Sequence, residues 1–188
     1  MTNDALPICP EDRLSSLVSA IDEDESAGVI MLDRLLDEFP LDARLHFLRG
    51  SLAAAGRDYA GARIAMRHAV DLAPDFAIAR FQLGFLLLTS GEPHAAQEAW
   101  GPLHSLPVDH YLRIFVRGLC HLIADEFDDA ITLLLDGIGR NSENPALNGD
   151  MRLIVEETRR KSAEREEGEP LSHAQLLLQQ SASKSTKH

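Results

Sequence analysis

The chain has 188 residues, and its hydrophobic content of 45% is enough for one domain with its own core. Aromatic residues make up only 5%, while leucine and alanine are frequent, which favours helices over sheets. The net charge of −12 argues against nucleic acid or anionic lipid as the main partner, because both require a basic surface, whereas a basic protein partner would suit it. The two cysteines form no CxxC pair, which favours a reducing compartment over a disulfide framework or a zinc site. We expect a cytoplasmic protein, and we predict no cofactor.

The N-terminal part reads as a short flexible segment followed by two helices. Residues 1–10 lack the basic start and apolar run of a signal peptide, and no apolar run in the chain approaches the length of a membrane span. Residues 11–21 and 27–38 have the periodicity of amphipathic helices, with the acidic run 22–25 predicted as a solvated turn between them. We interpret residues 11–42 as a degenerate helix-turn-helix unit.

From residue 43 onward, three residue types recur every 34 positions. They are Gly50, Gly84 and Gly118, Ala62, Ala96 and Ala130, and Phe47, Phe81 and Phe115. The period predicts three units, residues 43–76, 77–110 and 111–144, each with two helices joined by a turn. The small residues let the two helices of a unit approach closely. A proline and an aspartate mark each junction, and Asp42, Asp75 and Asp109 are predicted as N-caps of the following helices.

The period and the residue types resemble the tetratricopeptide repeat, whose pattern has glycine in the first helix, alanine in the second and proline at the end. The resemblance covers residues 43–144. The usual early tryptophan is replaced by His46, Arg80 and Ile114, and the segment "WGPLHSLP" is irregular. The resemblance implies an all-α, right-handed α-solenoid that holds other proteins or peptides on its concave surface.

The period ends after residue 144. Residues 145–167 read as one longer helix that caps the array, because the end of a repeat stack needs a polar outer face. Residues 168–188 are predicted as a partly disordered tail, within which 171–180 form a short apolar segment.

The helix in "RFQLGFLLLTSGEP" is apolar on almost all sides, so one side is expected to pack within the stack while the other lines the concave groove. The 34-residue register predicts these groove residues: Phe47, Ser51, Ile78, Phe81, Phe85, Leu88, Leu112, Phe115, Leu119 and Leu122. Leaving these side chains exposed to water would forgo a free energy of burial on the order of 10 kcal/mol. We therefore expect something to cover them.

The predicted function is protein–protein interaction, as an adaptor or small chaperone that binds an apolar peptide or helix segment in the groove. Three alternatives stay open: residues 171–180 of the same chain fill the groove, two copies pack groove to groove as a homodimer, or neighbouring first helices bury these residues against each other. The chain also resembles, more loosely, the small acidic bacterial chaperones of type III secretion, in size, acidity and groove character.

Catalytic chemistry is not indicated. The motifs GxSxG, HExxH, GxxxxGK[ST] and GxGxxG do not occur, so we expect neither an enzyme nor a metal site. His94 and Glu98 are four positions apart on a predicted helix, but two ligands do not define a metal site, and we interpret both as surface residues.

Overall fold

The structure is a computed structural model that describes residues 8–168. Within this range it is all-α, without strands, and the helical-repeat fold class is confirmed. The helices are α1 (Glu11–Glu23), α2 (Glu25–Glu38), α3 (Ala43–Ala55), α4 (Tyr59–Leu72), α5 (Ala77–Thr89), α6 (Pro93–Trp100), α7 (Tyr111–Ile123), α8 (Phe127–Arg140) and α9 (Pro145–Gly168), with a 3₁₀ turn at Gly101–Ser105. The predicted flexible start and the apolar segment 171–180 lie outside the described residues, apart from residues 8–10.

Consecutive helices pack as pairs, α1 with α2, α3 with α4, and α5 with α6. Contacts of α2 with α3 and of α4 with α5 join these pairs. The chain divides into two compact units between Val116 and Arg117, inside α7. In the second unit α8 packs against α9. The helix α9 includes all of residues 145–167, the segment predicted to cap the array. Its role as a cap and the handedness of the solenoid stay predictions.

The recurring glycines are the points where a large side chain from the second helix of a pair meets the backbone of the first. These pairs, each 16 positions apart, are Gly50–Met66, Gly84–Trp100 and Gly118–Leu134. A Cβ atom at Gly84 would lie 2.1 Å from Nε1 of Trp100, and one at Gly50 would lie 2.8 Å from Cγ of Met66. At both positions the neighbouring side chain would have to shift to admit a Cβ atom, so the 34-residue period records a close packing contact between the two helices of a pair.

The first helix pair uses the same register on its second helix. Gly28 stands 34 positions before Ala62, and a Cβ atom there would lie 2.7 Å from Cα of Ile21. Leu32 stands 34 positions before Met66 and is buried. The helix pair α1–α2 therefore has the spacing of the later units. Gly28 and Leu32 carry this signal in the sequence, but the 34-residue period was traced only from residue 43 onward.

The acidic run between α1 and α2 is mostly helical, which corrects the predicted turn. The helix α1 continues through Glu23 and α2 begins at Glu25, so only Asp24 lies between them. Its carboxylate accepts hydrogen bonds from the backbone N–H groups of Ser26 and Ala27 at 3.0 and 3.3 Å. One capping side chain thus allows the two helices to meet with a single intervening residue.

Of the three predicted N-caps, one is right and two are wrong. Asp42 caps α3, but α5 begins after Phe76 without a side-chain cap from any described residue. Phe76 is the residue immediately before α5, and its ring packs 5.2 Å from the ring of Phe47. At α7 the residue before the helix is His110, whose Nδ1 accepts the N–H of Leu112 at 3.2 Å. Phe76 and His110, each one position after the predicted aspartate, thus precede α5 and α7 in place of Asp75 and Asp109.

The irregular segment "WGPLHSLP" shortens the second helix of its unit. The helix α6 ends at Trp100, and Pro102 lies in the 3₁₀ turn that follows. Proline has no N–H to donate to the carbonyl four residues earlier, so an α-helix cannot continue unbroken through it. Leu103 in the same turn is nevertheless buried, and it keeps the turn attached to the core.

Asp42 joins the segment before α1 to the start of α3. Its buried carboxylate accepts the N–H groups of Cys9 and Arg44, both at 2.9 Å, and two guanidinium hydrogen bonds from Arg44 at 2.7 and 3.0 Å. Arg44 also donates to the carbonyl oxygen of Cys9 at 2.5 Å. Burial by itself raises the pKa of Asp42, but the hydrogen bonds from Arg44 and Cys9 outweigh burial and lower the pKa below its ordinary value.

Replacing Gly84 by alanine tests the glycine contact. We expect the free energy of unfolding to fall by about 2–3 kcal/mol, because Trp100 has to move to admit a Cβ atom. Gly139→Ala in α8 is the matched control, since no described atom lies within 4 Å of its Cβ position, and it should stabilise by roughly 0.4–1 kcal/mol. Urea denaturation measures both, and equal effects at the two positions would contradict the packing explanation.

Asp42→Asn is expected to lower the free energy of unfolding by about 1–3 kcal/mol, because the charge that Arg44 pairs with is lost inside the core. Asp58→Asn is the control: Asp58 is an exposed N-cap of α4, and asparagine caps helices as well as aspartate does. Since the pKa of Asp42 is lower in the folded state, its contribution is present above the unfolded pKa and disappears as pH falls through the folded pKa. The Asp42→Asn variant should therefore lose less stability than the parent between neutral and acidic pH, as measured by denaturation at each pH.

Candidate functional site

Phe81 in α5 lies at the centre of an aromatic cluster. Its ring centroid is 6.2 Å from those of Phe85 and Trp100 and 6.1 Å from that of Phe115, and Tyr111 lies 6.0 Å from Phe115. These separations are within the range of favourable aromatic pairs. The indole N–H of Trp100 also donates to the carbonyl oxygen of Phe81 at 3.0 Å. We call these five residues the aromatic cluster.

Two of the three periodic phenylalanines therefore meet, as the register implies, whereas the third has a different neighbour. Phe47 of α3 packs against Phe76, the residue immediately before α5. Phe76 was not among the predicted site residues, because the position 34 residues later holds His110 and offers no periodic signal. Ring contacts thus involve a residue of the inter-unit junction as well as residues of the first helices.

The predicted groove residues fall into two classes of exposure. The buried class, each member at most 2% exposed, consists of Phe81, Leu112, Phe115 and Leu119. The half-buried class consists of Phe47, Ser51, Ile78, Phe85, Leu88 and Leu122. The half-buried residues keep surface that another molecule can contact, whereas the buried residues keep almost none.

Hydroxyl groups near these residues are turned back onto their own helices. Ser51 donates to the carbonyl oxygen of Phe47 at 3.1 Å, and Thr89 donates to that of Phe85 at 3.0 Å. Such bonds to the residue four positions earlier satisfy a hydroxyl locally. The hydroxyl groups at these two places therefore already have hydrogen-bond partners within their own helices.

Two residues at the position where the repeat family usually has tryptophan bind the chain that enters their helix. His46 Nε2 lies 2.8 Å from the carbonyl oxygen of Pro40, and Arg80 donates to that of Pro74 at 2.9 and 3.2 Å. Burial lowers the pKa of His46 below its ordinary value, and the neighbouring His68 ring, 4.1 Å away, acts in the same direction. Both side chains consequently tie the first helix of a repeat to the segment that precedes it.

One group of possible metal ligands occurs among the described residues. His121, Glu126 and Asp129 bring one imidazole nitrogen and two carboxylate oxygens within 4.8 Å of one another. His121 Nδ1 lies 2.5 Å from Glu126, so the imidazole already has a partner that fixes the turn between α7 and α8. His94 and Glu98 lie 3.7 Å apart with side chains 91% and 75% exposed, in keeping with their interpretation as surface residues.

The helix pairs, their glycine contacts and their common spacing define an α-helical repeat protein. Residues 31–77 match the family model of the tetratricopeptide repeat, which supports a protein of that family. The search of curated proteins found no match to the chain. Tetratricopeptide repeats generally mediate protein–protein interactions, and the family is typically non-enzymatic. No helix in residues 8–168 is long and apolar enough to cross a membrane.

Phe81 and Phe85 should respond differently to truncation. Phe81→Ala removes a fully buried ring and should lower the free energy of unfolding by about 3–5 kcal/mol. Phe85→Ala removes a half-buried ring and should cost only roughly 1–2 kcal/mol. Chemical denaturation followed by the fluorescence of Trp100, the single tryptophan, measures both, and similar losses at the two positions would contradict the division into buried and half-buried classes.

Proposed function

We propose that the protein binds an apolar segment of another protein through the half-buried side chains of α3 and α5. The contact residues are Phe47 from α3 with Ile78, Phe85 and Leu88 from α5. The observation that carries the proposal is that these large apolar side chains remain partly exposed. In the case of Phe85 the ring also rests directly on the buried Phe81.

Burial of these residues by a partner would be favourable. Each large apolar side chain contributes roughly 1.5–3 kcal/mol when it passes from full exposure to full burial, so these partly exposed residues retain about a third of that or less for binding. The hydroxyls of Ser51 and Thr89 already donate to their own helices, so a partner does not leave them unsatisfied. An apolar side chain on a peptide or helix therefore matches this surface better than a polar one.

The family supports a protein as the occupant, and the net charge of −12 favours a segment whose flanks are basic. An adaptor or a small chaperone would use such a surface in the same physical way. The chain's own residues 171–180, which lie outside the described range, and a second copy of the protein are the competing occupants. The experiment must distinguish all three.

Phe85→Asp combined with Leu88→Asp is expected to reduce partner recovery about tenfold or more, because a desolvated carboxylate opposes an apolar contact. The protein is captured from its own cells and the co-purified proteins are quantified. Leu153→Asp in α9 is the matched control, since Leu153 is an exposed leucine elsewhere. Circular dichroism verifies that each variant is folded, and equal recovery from the double variant and the control would refute the proposal.

The other occupants give different results in the same preparation. A chain ending at residue 168 should bind an environment-sensitive dye more strongly only if residues 171–180 cover the surface. A dimer mass in light scattering that Phe85→Asp with Leu88→Asp converts to a monomer mass would identify a second copy. Either result assigns the apolar surface to an occupant from the same protein and overturns the proposal of an external partner.

A further inference from the structure

A small apolar pocket opens between α2 and α3, two helices of the first compact unit. Its volume is about 240 Å³, and the residues that line it include Glu25, Val29, Leu32, Asp33, Arg49 and Leu52. We call these six residues the α2–α3 pocket. Leu32 belongs to the buried core, whereas Val29 is 39% exposed and Leu52 is half-buried. Apolar surface of Val29 and Leu52 therefore remains in contact with solvent.

The pocket lies on a different side of α3 from the apolar surface proposed above. An α-helix turns by about 100° per residue, so Arg49 and Leu52 point away from the side that carries Phe47 and Ser51. The pocket is completed by α2, whereas the proposed apolar surface is completed by α5. The two surfaces are therefore separate, and each can be tested without the other.

Negative charge that no ion pair cancels borders the pocket at the start of α2. Asp33 is paired with Arg49, so these two charges neutralise each other. Glu25 forms no ion pair within the described part of the chain, and neither do the acidic residues 22–24 directly before it. The sequence has no lysine or arginine from residue 14 to residue 33. The rim of the pocket is therefore negative, with the same sign as the net charge of −12 on the whole chain.

The next junction, between α4 and α5, shows that the array does not require this combination. Arg63 stands 34 positions after Val29 and is paired with Glu92. Tyr59, an uncharged residue at neutral pH, stands 34 positions after Glu25. The apolar wall and the acidic rim are therefore features of the α2–α3 pocket and not of the repeat, so the packing of one unit on the next does not explain them.

We propose that the α2–α3 pocket binds an apolar side chain of another protein that has a lysine or arginine beside it. The apolar side chain packs on Val29 and Leu52, and the cation lies near Glu25. The net charge of −12 attracts such a segment and repels an acidic one or a nucleic acid. The pocket is smaller than the roughly 300–1,000 Å³ of small-molecule sites, which favours one side chain as its occupant.

The test uses a defined peptide and the full-length protein. A short fluorescein-labelled peptide carries one central leucine, a lysine on each side of it, and serine or glycine elsewhere, and its binding is followed by fluorescence anisotropy. One analogue has serine in place of leucine, and a second has glutamine in place of both lysines. We expect the leucine–lysine peptide to bind at least about fivefold more tightly than either analogue, and its affinity to fall as the salt concentration rises.

Val29→Arg introduces the residue type that α4 has at the equivalent position, and it should weaken binding about tenfold or more by filling the pocket. Leu153→Arg in α9 is the control for the added charge, since Leu153 is exposed elsewhere. Glu25→Lys should also weaken binding, and Asp128→Lys is its control, the same change of charge in the first turn of α8. Both controls should alter the affinity less than about twofold. Circular dichroism verifies that each variant is folded.

The variant with Phe85→Asp and Leu88→Asp separates this inference from the proposed function. It should bind the leucine–lysine peptide within about twofold of the parent protein, because neither substitution touches the pocket. A loss of peptide binding in this variant would place the peptide on the surface of α3 and α5 and overturn the inference. Failure of the proposed function, in contrast, would leave the peptide assay unchanged.

Three further results would overturn the inference: the leucine–lysine peptide does not bind, its serine analogue binds equally well, or Asp128→Lys weakens binding as much as Glu25→Lys does. Sedimentation velocity and a chain ending at residue 168 cover the other occupants. A dimer that Val29→Arg dissociates would assign the pocket to a second copy, and tighter peptide binding by the shortened chain would assign it to residues 169–188. Either result rejects a separate partner.

Discussion

The fold depends on one steric constraint, the absence of a Cβ atom where two helices of a pair come closest. At Gly84 this absence lets the indole of Trp100 reach the backbone and donate to the carbonyl oxygen of Phe81. The indole then supports the ring of Phe81, which in turn contacts Phe85 and Phe115. A packing requirement of the backbone therefore determines where the aromatic cluster lies, and the cluster determines which apolar side chains of α5 stay accessible.

Much of the fold could be predicted from the sequence, because close packing between helices requires the same residue types at a regular interval. Gly50, Gly84 and Gly118 predicted the helix pairs, since each accepts a large residue 16 positions later. The caps were less predictable: Asp75 was expected to cap α5, but the ring of Phe76 packs on Phe47 and fixes the start of that helix. A contact between two rings in different elements overrides a local hydrogen-bonding preference and leaves no mark in the spacing of residues.

The periodicity also could not predict how deeply each of the groove side chains is buried. The 34-residue register indicates the direction in which a side chain points, so it placed Phe81 and Phe85 in the same groove. The register does not indicate where the ring of Trp100 lies, and that ring is 6.2 Å from the ring of Phe81. Fully buried and half-buried residues consequently looked alike in the sequence, although only the half-buried ones are accessible to a partner.

Residues that keep the period and residues proposed to contact a partner overlap only at Phe47, which is half-buried. A residue repeated in every unit is held constant by packing, and Phe81 and Phe115 are buried accordingly. Phe85 occupies a position whose equivalents are Ser51 and Leu119, so the chemistry of that position changes from one unit to the next. In a repeat protein the invariant positions build the array, and specificity has to come from the positions where successive units differ.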